Sequence, residues 1–359
     1  MRTVFARMGR PLEMGLKTAL AGVAEIAASV LVVVAFTTLV LLVAGAPPLD
    51  TFAVLVKGSL GSWSKLSHVI KVWIPLTLAS CGLLFTFKAG LWNIGVEGQV
   101  MMGAVATTLA MRMGGPSPLA GMVTALALVA GMAGGALWAL CAGFLKTKAG
   151  VHEIFAGLGL NFVSQGLVLW LIFGPWKQPG IASMSGTETF DERLWIPSIE
   201  ALNLSPAALG MAVAAVIVTA YLLSSTRLGL YLRAVGGNEK AAVLFGLKPH
   251  AVMTAAMLCA GGLAGLAGAF QVSGVYHRLI PAISSGYGYL ALLVVLLAYY
   301  NVWAAPVVAF FFACLNTGAI QLPMLLSLDS SLSGVIQGSM VIAALAVHSV
   351  STRSRRSRG

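Results

Sequence analysis

Between two long apolar runs the chain carries Lys88-Ala-Gly-Leu-Trp-Asn-Ile-Gly-Val-Glu-Gly-Gln-Val-Met-Met-Gly103. Within eight positions it sets an indole (Trp92), two carboxamides (Asn93, Gln99) and a carboxyl group (Glu97). A carboxyl at membrane depth can move a proton or an ion. Carboxamides and an indole can hydrogen-bond a hydroxyl-rich solute. All are expensive in hydrocarbon unless they face a cavity or another polar group. Glycines at 90, 95 and 98 allow the backbone to bend or another segment to approach closely. The competing reading is plain: Glu97 and Gln99 cap a helix start and Trp92 anchors at the interface.

Other polar groups sit in apolar surroundings. His152-Glu153 follows Lys146 and Lys148; the pair suits a proton relay, but a carboxylate in a first helical turn is the favoured account. Asn161 lies about two turns beyond Glu153 and shares a face with Gln165. These carboxamides either line a pathway or bond to a neighbouring helix. Tyr276, His277 and Arg278 fall in a short connection before Gly286, where a solute or another protein could meet them, although a wet surface loop is the default.

Composition sets the class. Apolar residues make up 58% of 359 and charged residues 9%, so the chain reads as an all-α polytopic membrane protein. The net charge of +11 is scattered through short loops and both ends, which fits membrane orientation and not nucleic-acid binding. Cys81, Cys141, Cys259 and Cys314 lie inside apolar runs without metal-ligand spacing, so no metal site is expected. There is no phosphate-binding Gly-x-x-x-x-Gly-Lys-Ser/Thr loop, no His-Glu-x-x-His and no Gly-x-Ser-x-Gly elbow. The chain is therefore not expected to be an enzyme or to hydrolyse ATP itself.

A span needs roughly 20 apolar residues, and ten runs qualify: about 19–45, 69–87, 95–113, 118–144, 153–174, 205–224, 250–273, 286–300, 303–322 and 332–349. The first is too long for a signal h-region and reads as an uncleaved span. With both termini cytoplasmic, 15 of the 22 basic residues fall inside and 7 outside, as the positive-inside rule requires. The transmembrane domain is then 19–349, between a basic cytoplasmic start at 1–18 and a basic tail at 350–359 that suits anionic lipid.

The outer loops at about 46–68 and 175–204 are long enough for short helices or a docking surface. The inner loop at 226–249 has Asn238 as an N-cap, Glu239 in a first turn and a short Ala-Ala-Val-Leu-Phe helix, stopped by Gly246 and Pro249. Nothing in the chain obviously covers it. Five spans per half is an odd number, so two five-helix halves would be inverted. Glycine- and aromatic-rich breaks follow the second and seventh spans, at Gly90–Gly95 and at Gly286-Tyr-Gly-Tyr289, a pattern that points to a central pathway.

Gly90-Leu-Trp-Asn-Ile-Gly-Val-Glu-Gly-Gln99 resembles a motif of the permease subunits of bacterial ABC importers for nucleosides and simple sugars, within the branched-chain amino acid and ribose permease superfamily. Arg233-Ala-Val-Gly-Gly-Asn-Glu-Lys-Ala-Ala242 and Phe245-Gly-Leu247 resemble that family's ATPase-contacting segment. Gly150-Val-His-Glu-Ile154 with Asn161-Phe162 resembles its Asn-Glu-Val-Ile … Leu-Asn-Tyr segment, with His152 in place of Asn. Ser285-Gly-Tyr-Gly-Tyr289 resembles its Gly-Tyr-Gly-Phe element, but the next stretch, Ala-Leu-Leu-Val-Val-Leu-Leu-Ala, departs from the family's Gly-Ile-Ala-Val-Ala-Leu-Leu-Gly.

The resemblance, over about residues 70–350, implies a permease in the bacterial inner membrane. Trp92, Asn93, Glu97, Gln99, Asn161 and Tyr287 would line or gate its path. Arg233, Gly236, Asn238, Glu239, Ala241, Ala242 and Gly246 would couple it to a cytoplasmic ATPase subunit that holds ATP and magnesium, this chain holding no cofactor. A second homologous permease, more readily a different chain than a copy, and an extracytoplasmic solute-binding protein complete the expectation. The rival reading is a stand-alone secondary transporter, ion-coupled through Glu97 or Glu153.

Overall fold

The computed structural model describes residues 31–326 apart from 33, 44, 116, 117, 179, 181–184 and 200–202, together with 334, 335, 338, 339, 342, 343 and 346. The expected first span lies largely, and the tenth mostly, outside the described residues. The chain divides into two units, one drawn from residues 1–58 and 318–359, the other Ser59–Thr317.

In the first unit, α1 (Val34–Val43) is followed by α2 (Pro48–Leu60), a helix within the outer loop expected at 46–68. Gly318 packs so closely on α2 that a side chain there would meet the Leu55 backbone. Gln321 Nε2 donates to the Gly58 carbonyl at 3.2 Å, and α13 (Leu322–Leu326) follows.

The second unit is built on α3 (Trp63–Lys88), α4 (Val96–Gly114), α5 (Ala120–Thr147), α6 (Glu153–Phe173), α7 (Pro206–Ser225), α8 (Arg227–Gly237), α9 (Glu239–Leu244), α10 (Pro249–Phe270, extended by a π-helical turn to Tyr276), α11 (Tyr287–Leu297) and α12 (Ala304–Ala319). Among the described residues, six helices are long and apolar enough to cross a membrane: α3, α5, α6, α7, α10 with its π turn, and Ala304–Leu326. The bent pair α1–α2 would make a seventh. Helix starts follow local chemistry: Ser62, Ser205 and Thr226 each accept an amide from the first turn of the helix they precede.

Helix α4 sits at the centre, packed on α5, α10 and α6. Its nineteen residues rise about 28 Å, yet it carries polar groups that exposure to lipid would penalise. Small residues let the helices close around it. A side chain at Gly103 would overlap the backbone of Gly265 on α10, and one at Gly135 on α5 would overlap Gly261 and Gly265. Backbones thus approach as they do at small-residue helix crossings in membranes. Helix α3 is equally enclosed, 78% of its most apolar window being buried, against 28% for α5 and 33% for α6.

Two expected spans differ: the run at 95–113 forms α4, long enough to span but too polar to be among the six, and the run at 286–300 is too short. The apolar run at 286–300 forms only α11, eleven residues and about 16 Å, half the thickness of a bilayer core. It ends because Tyr299 takes the left-handed conformation (φ 53°) in which a helix stops. The Tyr300 amide then returns to the Val295 carbonyl at 3.1 Å and the Tyr299 amide to Leu296 at 3.1 Å. Within the loop expected on the outer side, the described residues 185–199 fold back as a strap: Thr187 and Leu279 exchange hydrogen bonds of 2.9 and 3.1 Å, and Ile196 donates to Ser273 at 3.0 Å.

Candidate translocation and coupling site

The stretch from 88 to 99 begins as the end of a helix. Gly90 adopts φ 77°, which lets the Leu91 amide reach the Thr86 carbonyl (2.9 Å) and the Gly90 amide reach Phe87 (3.1 Å), closing α3 with a Schellman turn. The chain then reverses and α4 starts after Gly95. Asn93 and Gln99 bridge this reversal reciprocally: Asn93 Nδ2 donates to Gln99 Oε1 at 3.1 Å, and Gln99 Nε2 donates to Asn93 Oδ1 at 2.9 Å. Both are 1% exposed. The two carboxamides therefore satisfy each other within the fold.

The α4 N-terminus needs acceptors for its first amides, and its own N-cap, Gly95, has none. Asn161 from α6 provides one, its Oδ1 accepting the Gly98 amide at 2.8 Å. Its Nδ2 donates to the Ile94 carbonyl at 3.0 Å and to the Tyr289 hydroxyl at 3.1 Å. The start of α11 repeats the arrangement. Gly286, at φ 72°, is its N-cap. Glu97 Oε2 accepts the Gly288 amide at 2.8 Å, while the Ser284 hydroxyl and the amides of Gly286 and Tyr289 also face the carboxyl. Gly288 has no room for a side chain, because a Cβ would lie 2.6 Å from Glu97 Cα.

So α6 caps α4, α4 caps α11, and Asn161 reaches the Tyr289 hydroxyl to close the ring. The two glycine-rich breaks, 191 residues apart through Glu97 and Gly288, meet in one polar knot. Glu97 is a capping group, as the plainer reading held, but for a remote helix.

The remaining residues divide. Tyr287 is buried, its hydroxyl beside Ser285 and Gln271, whereas Tyr289, which sequence reasoning did not select, is 43% exposed. Trp92 is 44% exposed and sets its ring edge-on to Phe87 at 5.3 Å, and Phe87 in turn meets Tyr300 at 5.3 Å. Gln165 donates to the Pro281 carbonyl at 3.0 Å, so the Asn161–Gln165 face bonds to neighbouring segments. Glu153 pairs with Lys146 at 2.8 Å, and His152 accepts the Ile154 amide as N-cap, the helix-start arrangement.

The second cluster is the 226–249 segment. Asn238 caps α9 through an Ala241 amide at 3.0 Å, with Glu239 in the first turn. Gly246, at φ 79°, closes it with a Leu247-to-Ala242 bond of 3.1 Å. Ala242 turns inward and Ala241 is half-buried. Leu244 and Phe245 project outward, 87% and 85% exposed. Arg233 donates to the Leu223 carbonyl at the end of α7. Gly236 lies on the α3 Schellman turn so closely that a Cβ would overlap the Lys88 carbonyl and come 2.9 Å from the Gly90 amide. The exposed helix α9 is therefore joined, through α8, to the backbone just before Asn93.

Near the strap, His277 (φ 55°) stacks on Trp195 at 3.7 Å, and burial lowers its imidazole pKa below the ordinary value. Among the described residues no group of His, Cys, Asp or Glu could hold a metal ion.

The family model for "branched-chain amino acid transport system / permease component" matches residues 66–345. The chain is 31% identical to the glucose ABC transporter permease protein TsgB13 of Haloferax volcanii, over 82% of this chain and 80% of that one. It is 27% identical to the guanosine ABC transporter permease protein NupP of Bacillus subtilis (80% and 82%). It is 24% identical to the nucleoside ABC transporter permease protein NupB of Lactococcus lactis (78% and 79%). No solved structure matches. A multi-pass helical chain with a family match across residues 66–345, most of its length, belongs to the branched-chain amino acid transport system permease family.

Proposed function

We propose that the chain is the membrane-spanning subunit of an ATP-driven ABC importer that carries a nucleoside or simple sugar across a bacterial inner membrane. The observation that carries this reading is the connection just described. A capped helix with an exposed Leu244–Phe245 tip is fixed by a glycine contact to the turn that precedes the polar knot. A partner gripping α9 would move Gly236 and Gly90 together, and with them the start of α4.

In this reading the termini are cytoplasmic, the chain has about ten spans in two inverted halves, and the meeting of the two breaks is the centre of that inversion. Lys88 and Arg233, assigned to the inner side, line one cavity. On the outer side Lys71 bonds to Asn203 and Arg112 lies over Trp176. Both groupings agree with the charge-based orientation. ATP and magnesium belong to a separate ATPase subunit held at Arg233, Gly236, Asn238, Glu239, Ala241, Ala242 and Gly246. A solute-binding protein delivers to the outer face.

Two Bacillus subtilis relatives, NupP and NupQ, are both named guanosine permeases, which supports pairing with a different permease. Asn93, Glu97, Gln99 and Asn161, buried and bonded to one another, hold the gate's shape. Trp92 and Tyr289 are the members open to a passing solute, and Tyr287 supports them from behind. The geometry does not favour an ion relay, because Glu97 is engaged by α11 and Glu153 by Lys146.

The test is co-purification with the ATPase subunit. Asn238→Arg with Glu239→Arg removes the cap and reverses the charge at the start of α9, and should abolish assembly or uncouple hydrolysis. Unchanged assembly and transport would overturn the assignment.

A further inference from the structure

We propose that the cavity beside the coupling segment binds the phosphate of an anionic phospholipid, which then forms part of the link between α8 and α3. The cavity, about 560 Å³, is lined by Lys88 and Arg233 and, at its exposed rim, by Tyr221, Tyr300, Asn301 and Trp303. No carboxylate lines it, so the two cations leave a net positive charge. Arg233 spends one donor on the Leu223 carbonyl and retains other N–H groups for an anion.

Three features favour a lipid over a soluble anion. The rim is aromatic, as protein surfaces are at the headgroup level. The lining includes outward-facing side chains of α7, Ile217 and Tyr221, both exposed. Basic pockets between spans on the cytoplasmic side take anionic headgroups, the side on which the importer reading places Lys88 and Arg233. The rim is also held in a costly conformation, Tyr299 and Tyr300 being consecutive non-glycine residues at φ 53° and 58°, a strain that clusters at ligand clamps. Tyr300 packs on Phe87 and Phe87 on Trp92, so an occupied cavity would touch the gate stretch as well as α8.

The test is fluorescence quenching of the full chain in bilayers carrying brominated phosphatidylglycerol or brominated phosphatidylcholine in both leaflets. The Trp303 signal is taken as the difference from Trp303→Phe. The expected result is quenching that prefers the anionic lipid by about fivefold per cation, about 25-fold in all. That preference should fall to near unity in Lys88→Gln/Arg233→Gln and be kept in Lys88→Arg. Equal quenching by the two lipids, or none by either, overturns the proposal. So does loss of quenching on adding millimolar inorganic phosphate, which would identify a soluble phosphate ester as the occupant. The readout needs no transport, so a failure of the importer reading appears separately, as uptake without ATP.

Discussion

Replacing Glu97 separates a capping role from a chemical one. In Glu97→Ala the Gly288 amide, now 2.8 Å from Glu97 Oε2, loses its acceptor inside the bundle, as do the other amides at the start of α11. An unpaired buried amide costs about 1–3 kcal/mol, and loss of a carboxyl at a helix N-terminus adds up to about 1 kcal/mol. The expected destabilisation is therefore about 1–4 kcal/mol. Glu97→Gln keeps an acceptor oxygen at the same place and should lose roughly 1 kcal/mol or less. Thermal unfolding of the purified protein, followed by labelling of the buried thiol Cys81 with a maleimide dye, reads both. A melting temperature lower by about 1–5 °C is expected for the alanine variant, with a smaller shift and near-normal ATP-driven uptake for the glutamine variant. If both variants melt like wild type but neither transports, the carboxyl acts on solute or protons and the capping account is wrong.

Gly236→Ala should push α8 off the α3 turn, since its Cβ meets backbone rather than a yielding side chain. ATPase binding through α9 should survive while uptake per ATP hydrolysed falls severalfold, measured in reconstituted vesicles. Asn161→Ala removes three hydrogen bonds at once; at about 0.6 kcal/mol for an average interhelical bond in a membrane protein, a loss of roughly 2 kcal/mol is expected by the same unfolding assay. His277 gives a pH dependence. Burial lowers its pKa in the folded chain, so as pH falls below about 6.5 the unfolded chain takes up the proton first and stability declines. Above that value its contribution is complete. Melting curves from pH 5 to 8 should slope in this way, and the slope from this residue should vanish in His277→Gln.

The short helix α9 is legible in the sequence because its signals are local. Asn238, Glu239, Gly246 and Pro249 sit at the spacing a cap, a first turn and a stop require, and α9 forms between them as expected. The polar stretch at 88–103 was legible as an anomaly but not as a structure. Its hydrogen-bond partners, Gly288, Asn161 and Tyr289, lie far along the chain, and no periodicity encodes that proximity. Matching places in two inverted halves single out both breaks, but not that they touch. The short α11 was hidden because the residues of 286–300 are as apolar as a full span. It is stopped by tyrosines in a conformation that normally marks glycine, so its terminus carries no composition signal. In a glycine-aromatic run, which ring turns inward depends on where the helix begins, and Gly286 fixes that only in three dimensions: Tyr287 is buried and Tyr289 exposed.

The central claim is that this chain moves solute only when an ATPase works on α9. It is tested most directly by uptake of labelled nucleosides and sugars into vesicles holding the permease, with and without its ATPase subunit and binding protein. The account predicts uptake that requires ATP and the full assembly and is lost in Asn238→Arg/Glu239→Arg. Uptake by the purified chain alone, driven by a proton or sodium gradient, would contradict it.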